Sequence, residues 1–211
     1  EGFNYNYQAH GYHPLRCFDG LTGDLLKAEL RDGTQYCSKG SCDFMIPLMQ
    51  EYRKKYPFLP LYLRGDSGFA APELYEACED NDCKYAIRLK ENRILRELCS
   101  DADTALYKAT ADNAIDYAVT YGEFEYQAGS WSVPRRVVFK IEKPTDQIIH
   151  MYTFVVTTME AEPYQIIQFY CGRGKMENFI KEAKSGFDFN SVSSHSKLVN
   201  ANRLQVHALA Y

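Results

Sequence analysis

Phe58-Leu-Pro-Leu-Tyr-Leu-Arg-Gly-Asp-Ser-Gly-Phe69 is the stretch on which the reading of this chain turns. Apolar and aromatic residues run from Phe58 to Leu63, then the chain breaks into Arg64-Gly65-Asp66-Ser67-Gly68. A short apolar run ending in glycines predicts a buried, parallel strand that delivers a residue at its C-terminal end. In open α/β sheets the loops at that edge open a crevice, so residues there are placed for chemistry. The next stretch, Ala71-Pro72-Glu73 to Asn81, has helical spacing with proline near its first turn. Asp66 thus stands where a strand hands over to a helix. It reads as a functional carboxylate and equally as an Asx-turn or N-cap residue.

Working outward, Tyr12–Asp19 and Asp24–Leu30 read as two strands joined by a hairpin at Gly20-Leu-Thr-Gly23. Cys42–Lys55 has helical spacing, with Ser41 or Asp43 as a cap. Lys84–Leu89 reads as a short strand and Asn92–Cys99 as a short helix. This order predicts an α/β domain with a mixed sheet flanked by helices. From Leu106 to Thr158 the character changes. Ala118–Phe124, Arg135–Ile141 and Tyr152–Thr157 are alternating or β-branched runs, a β-rich segment. The last 50 or so residues return to helix, from about Glu162 to Lys184 and from about Lys197 to Tyr211.

Within the first of those helices stands Tyr170-x2-Arg173-x3-Glu177-x6-Lys184. At about 100° per residue these four side chains fall within about 60° of one another, and Lys181 joins them at about 20° from Tyr170. One helix face would then carry a phenol, a carboxylate and three cations. Such a face suits a site that holds a metal ion beside an anionic polymer. It also suits a solvated face with ordinary intrahelical ion pairs.

The composition bounds these readings. The chain has 211 residues, 14% aromatic and 25% charged, as expected of a folded protein with a sizeable core. No apolar run of about 18 residues is present to span a bilayer, and no signal peptide opens the chain. The net charge of −4 is unevenly spread. From Tyr170 onward six cations outnumber three acids, giving +3 there and −7 for residues 1–169. A basic end on an acidic body is compatible with local phosphate binding. The seven cysteines include no CxxC pair, and the two closest pairs, Cys37/Cys42 and Cys78/Cys83, each enclose four residues. They read as reduced, partly buried thiols of a cytoplasmic protein. A zinc site at Cys37 and Cys42 lacks a paired His/Cys cluster to complete it.

Taken together, these residues resemble the DDE transposases of bacterial insertion sequences, in the branch whose signature is the Tyr-Arg-Glu-Lys helix. The resemblance extends over nearly the whole chain. It includes Gly11-Tyr-His-Pro-Leu15, Arg64-Gly-Asp-Ser-Gly-Phe69, Tyr85-Ala-Ile-Arg-Leu-Lys90, Arg173-Gly-Lys-Met-Glu-Asn178 and His207-Ala-Leu-Ala-Tyr211. It implies a ribonuclease H-like fold in which residues 1–105 form the first part of the catalytic domain. Residues 106–158 would be a β-rich insertion between the second and third catalytic acids, and residues 159–211 the C-terminal helical part. It further implies that Asp66 is the second acid and Glu177 the third, both ligands of divalent ions, Mg²⁺ or Mn²⁺, two in the complete site. Arg173, Lys181 and Lys184 would hold phosphates of double-stranded DNA, with Tyr170 adding a hydrogen bond or a stacking surface. The full-length protein would act as a homodimer.

The pattern's first acid, on a strand about a dozen residues before the equivalent of Gly2, has no counterpart here. The polypeptide as it stands is therefore expected to hold metal weakly and to cleave no DNA. Two relatives of this reading stay open: a DNA-binding or assembly domain of a decayed element, and a metal-dependent nuclease of the same fold. Arg64-Gly65-Asp66 as an extracellular adhesion triplet is disfavoured, because it follows a strand in a chain without an export signal.

Three further expectations concern single residues. Trp131 is the lone tryptophan; it either stabilises a base flipped out near the cleaved end, as the resemblance suggests, or packs against neighbouring strands. Arg135 and Arg136 either meet DNA or edge a strand. His207 reads as a core histidine with its hydrogen bonds satisfied.

Overall fold

The computed structural model describes residues 2–4, 8–111, 117–145, 147, 149–172, 174–187 and 194–211. They form two compact units, one of residues 1–44 and 172–211, the other of residues 45–171.

In the first unit, β1 (Gly2–Asn4) pairs antiparallel with β2 (Ala9–Gly11), and β3 (Leu15–Phe18) with β4 (Leu25–Glu29). The β3–β4 connection is the hairpin expected from its glycines. Asp19 Oδ1 accepts from the Leu21 and Thr22 amides at 2.7 and 2.9 Å, and Gly23 takes a φ of +87°. Helix α1 (Ser41–Lys55) leads into the second unit. Two C-terminal helices, α6 (Gly174–Gly186) and α7 (Lys197–Ala210), complete the first. Its core gathers Ala28, Ala183 and Leu204, with Leu25, Phe187 and Tyr211 packed against them. His207 Nδ1 lies 2.5 Å from the Phe187 carbonyl, the satisfied histidine that was expected. A Cβ added at Gly23 would sit 2.8 Å from the Phe179 ring of α6, at a φ that side chains resist. Gly23→Ala is therefore expected to destabilise this unit by about 1–3 kcal/mol, read as a lower urea midpoint at unchanged slope.

The second unit is built on a five-stranded mixed sheet of order β5-β6-β9-β8-β7. Strand β5 (Leu61–Gly65) runs parallel to β6 (Cys83–Leu89); β6, β9 (Met151–Thr157), β8 (Arg135–Lys143) and β7 (Ala118–Tyr126) pair antiparallel in turn. The three strands of the β-rich segment thus continue the sheet that carries Asp66. Helices α2 (Pro72–Asp80), α3 (Arg93–Leu98), α4 (Ser100–Ala109) and α5 (Pro163–Cys171) flank it.

Side chains alternate across a strand, and β6 shows both faces in use. Ala86 packs against Ile166, Ile167 and Tyr170 of α5, while Tyr85 stacks on Tyr75 of α2 with ring centroids 5.3 Å apart. Tyr85, Ala86 and Ile87 are all fully buried, which is why the sequence there is apolar without alternation. At the other margin Gly122 of β7 lies opposite Phe139, whose ring would meet an added Cβ at 2.4 Å. The ring covers the gap that glycine leaves.

Three expectations need correction. The strand expected at Phe58–Leu63 begins at Leu61, and only its Gly65 is buried. Among the described residues it pairs with β6 alone, and Phe58 is 98% exposed. Helix α4 lies where the β-rich segment was expected to begin. Finally, the helix expected from Glu162 to Lys184 is two, α5 ending at Cys171 and α6 starting at Gly174. Gly172 and Gly174 each cost about 1 kcal/mol in a helix interior relative to alanine, so the break falls where continuation is weakest.

Candidate active site

Asp66 sits at the C-terminal end of β5, as expected from the sequence. Its backbone is extended, and its Oδ1 accepts from the Gly68 amide at 2.9 Å, capping a 3₁₀ turn over Ser67–Phe69. The capping role and a ligating role are compatible for a carboxylate, which has several lone-pair sites. Two neighbours fix the strand end. Gly65 is buried because an added Cβ would meet Phe69 Cβ at 3.2 Å and Ile87 Cγ1 at 3.4 Å. Arg64 Nη1 donates to the Phe169 carbonyl at 2.8 Å, with its guanidinium 4.9 Å from the Phe169 ring centre. Burial lowers the Arg64 pKa from its ordinary value. This Arg64 is structural, tying the strand that ends at Asp66 to the turn of α5 that carries Tyr170.

Tyr170 is 6% exposed and belongs to the α5–sheet core with Ala86, Val138 and Val155. Because α5 and α6 are separate helices, the single continuous face expected from Tyr170 to Lys184 does not form. The Tyr170 ring packs in that core.

On α6 the rest of the face persists. Glu177 lies in the first turn, where a carboxylate complements the helix N-terminus, and Lys184 in the last. Glu177, Lys181 and Lys184 are all exposed. They share an arc of about 60°, while half-buried Phe179 and buried Ala183 fall at about 200° and 240° around the helix from Glu177. The helix is amphipathic, its inner face held on the β3–β4 hairpin by Phe179, 6.0 Å from Phe18. Arg173 lies outside the described residues.

Asp66 thus belongs to the second unit and Glu177 to the first. Among the described residues no group of three or more His, Cys, Asp or Glu stands together as a metal cluster.

Trp131, in the β7–β8 connection, is 8% exposed. It meets Tyr75 and Tyr126 edge-on at 5.4 and 5.3 Å, which is packing. Beside it lies an ion pair that no sequence pattern announced. Arg135, 5% exposed, is held bidentately by Glu79, Nε to Oε1 at 2.8 Å and Nη2 to Oε2 at 2.9 Å. Tyr85 Oη donates to the same carboxylate at 2.8 Å. Burial alone would raise the Glu79 pKa, but the hydrogen bonds from Arg135 and Tyr85 bring it below its ordinary value. Arg136 pairs with Glu123 and donates to the Met159 and Ala161 carbonyls. Both arginines are therefore structural. A His150–Asp103 contact at 2.6 Å, joining α4 to the approach to β9, was equally silent in the sequence.

A five-stranded mixed sheet flanked by helices is compatible with the ribonuclease H-like class of α/β domains. Residues 1–211 match the family described as transposase DDE domain group 1. The chain belongs to that family. Curated proteins include no match to it. DDE transposases typically use divalent metal ions and act on DNA. No helix among the described residues is long and apolar enough to cross a membrane.

Proposed function

We propose that this domain supplies the second and third acids, Asp66 and Glu177, of a transposase that cuts DNA strands and joins the freed end to target DNA. The observation that carries the reading is family membership over residues 1–211, together with Asp66 at the end of a parallel strand. Both residues are carboxylates, the hard oxygen donors that Mg²⁺ or Mn²⁺ requires, and neither is sealed from solvent. A pair of such ions, when bound, stabilises the attacking and leaving oxygens of an in-line phosphodiester displacement. Asp66 is oriented for this by the Gly68 amide and by the Arg64 tether behind it. Glu177 is carried on the exposed face of α6.

Lys181 and Lys184, exposed beside Glu177, hold phosphates of double-stranded DNA, with Arg173 as a third cation of the same motif. Tyr170 and Trp131, both buried, contribute by shaping the domain. The full-length protein acts in the cytoplasm as a dimer, since transposition brings two element ends together. Cleavage requires a first acid beside Asp66 and Glu177.

The test uses full-length protein and plasmid DNA bearing the element's ends. Nicking and strand transfer should vanish with a chelator and return on adding Mn²⁺. Cleavage without transfer would favour the simple nuclease, and persistence in chelator would overturn metal dependence. Lys181→Ala and Lys184→Ala should each lower the salt slope of DNA binding by about 1, roughly equally for all sequences. An unchanged slope would remove these lysines from the interface.

A further inference from the structure

Helix α7 carries two faces able to pack, and its own unit uses one of them. Leu204 joins the core with Ala28 and Ala183, Asn200 is buried, and Gln205 Nε2 donates to the Ala28 carbonyl at 2.8 Å. On the outward face Leu198, Val199, Val206 and Leu209 are all exposed, Leu209 to 89%. With Asn202 and Gln205 they occupy an arc of about 120°. None of these six residues is charged. A helix face that meets only water carries charged and polar side chains, so this one is built to be covered.

The pattern on the arc says by what. Leu198, Asn202, Gln205 and Leu209 are spaced four, three and four residues apart, the spacing at which one helix lies along a second. The series reads the same in both directions about a midpoint between Arg203 and Leu204. Two copies set antiparallel about that midpoint bring Leu198 of one against Leu209 of the other at each end. In the middle, Asn202 of each copy meets Gln205 of the other. Val199 and Val206 stand on one flank, about 80–100° from Leu198. Antiparallel helices related by a twofold axis turn the same flank to each other, so these valines pack together as well. A parallel pair would leave them on opposite sides of the seam.

The two amides decide between a copy and other occupants. A wholly apolar partner would bury Asn202 and Gln205 without hydrogen bonds, and an anionic one finds no cation on the arc. A reversed copy sets apolar against apolar and amide against amide. Asn202 Nδ2 then donates to Gln205 Oε1, the oxygen not engaged by the bond to Ala28.

We infer that α7 is a self-association element, through which two copies of this protein pair by antiparallel α7 helices. Resting on the reading of the protein as a dimeric transposase, this pairing supplies the surface on which the copies meet. Two 14-residue helices bury less than the roughly 1,200 Å² at which stable interfaces begin, so the contact is weak and forms at high local concentration.

Sedimentation of the protein from about 1 µM to about 1 mM, without DNA or metal, reads this contact apart from the chemistry at Asp66 and Glu177. Monomer at the low end and dimer at the high end are expected. Leu198→Lys and Leu209→Glu should each weaken the dimer at least about tenfold, since each presses an unpaired charge against leucine twice. Leu198→Lys/Leu209→Glu together should restore it to within about threefold of wild type, because the antiparallel register sets each new cation beside the other copy's new carboxylate. A mixture of Leu198→Cys and Leu209→Cys proteins, mildly oxidised, should give a link between positions 198 and 209 on peptide mapping. Monomer at every concentration would overturn the inference, as would a dimer that neither charged variant weakens. A link joining position 198 of both copies would overturn the antiparallel register. Loss of strand cleavage with the dimer intact would instead count against the active-site reading and leave this surface standing.

Discussion

Glu79→Ala is expected to lower the unfolding free energy of the sheet-bearing unit by about 3 kcal/mol, the lower end of the range for leaving a buried charge without its partner. The Arg135 guanidinium is buried between the Tyr75 and Trp131 rings, and Glu79 supplies both of its close carboxylate contacts. Glu76, at 4.0 Å, offers a weaker substitute, and partial exposure of Glu79 lets some water in. These two features place the value at that lower end. Removing both charges in Glu79→Gln/Arg135→Met should cost less than Glu79→Ala alone, because no orphaned cation remains. Chemical denaturation of the three proteins checks the order. The same pair sets an acid sensitivity. Glu79 is held below its ordinary 4.5 in the folded chain, so the folded state binds fewer protons there than the unfolded chain. Its contribution is therefore complete above about pH 4.5 and is lost as pH falls through the lower folded value. In Glu79→Ala that part of the acid limb should disappear.

Asp66→Asn and Glu177→Gln, each made in the full-length protein, are expected to reduce strand cleavage on the order of 10³-fold or more, the scale for removing a catalytic group. Amides keep the shape but lose the charge and the ligating strength that divalent ions need. Asparagine at position 66 can still accept from the Gly68 amide, so the 3₁₀ turn should survive and the fold should remain intact. DNA binding should fall little, since the lysines, and not these two acids, hold the phosphates. Near-wild-type cleavage by either variant would remove that acid from the site. A parallel loss of folding, visible in the circular dichroism, would reassign Asp66 to its capping role alone.

Much of this was legible in the chain because it depends on local rules. The hairpin at Gly20–Gly23, the proline-started α2, the short helix α3 and the strand-to-turn break before Asp66 all follow from short-range preferences. Helix α4 was missed because Ser100–Ala109 follows α3 with only Cys99 between them and borders a β-rich stretch. The break between α5 and α6 was missed because the periodicity of the Tyr-Arg-Glu-Lys pattern is intact across it; two glycines, not the spacing, end the helix. Tyr170 and Trp131 look alike in sequence whether they face DNA or a core, and only packing partners 15 to 84 positions away decide it. The Glu79–Arg135 pair spans 56 residues and leaves no periodic trace.

The thinness of one side chain on β6 has a consequence for how the domain tolerates change. Ala86 is the spacer on which α5 rests, while its two neighbours fill the opposite compartment. Any bulkier residue there would lift the helix from the sheet and pull against the Arg64 anchor, tilting the ledge on which Asp66 stands. The alignment of the two halves of this unit is thus governed by a methyl group that belongs to neither motif.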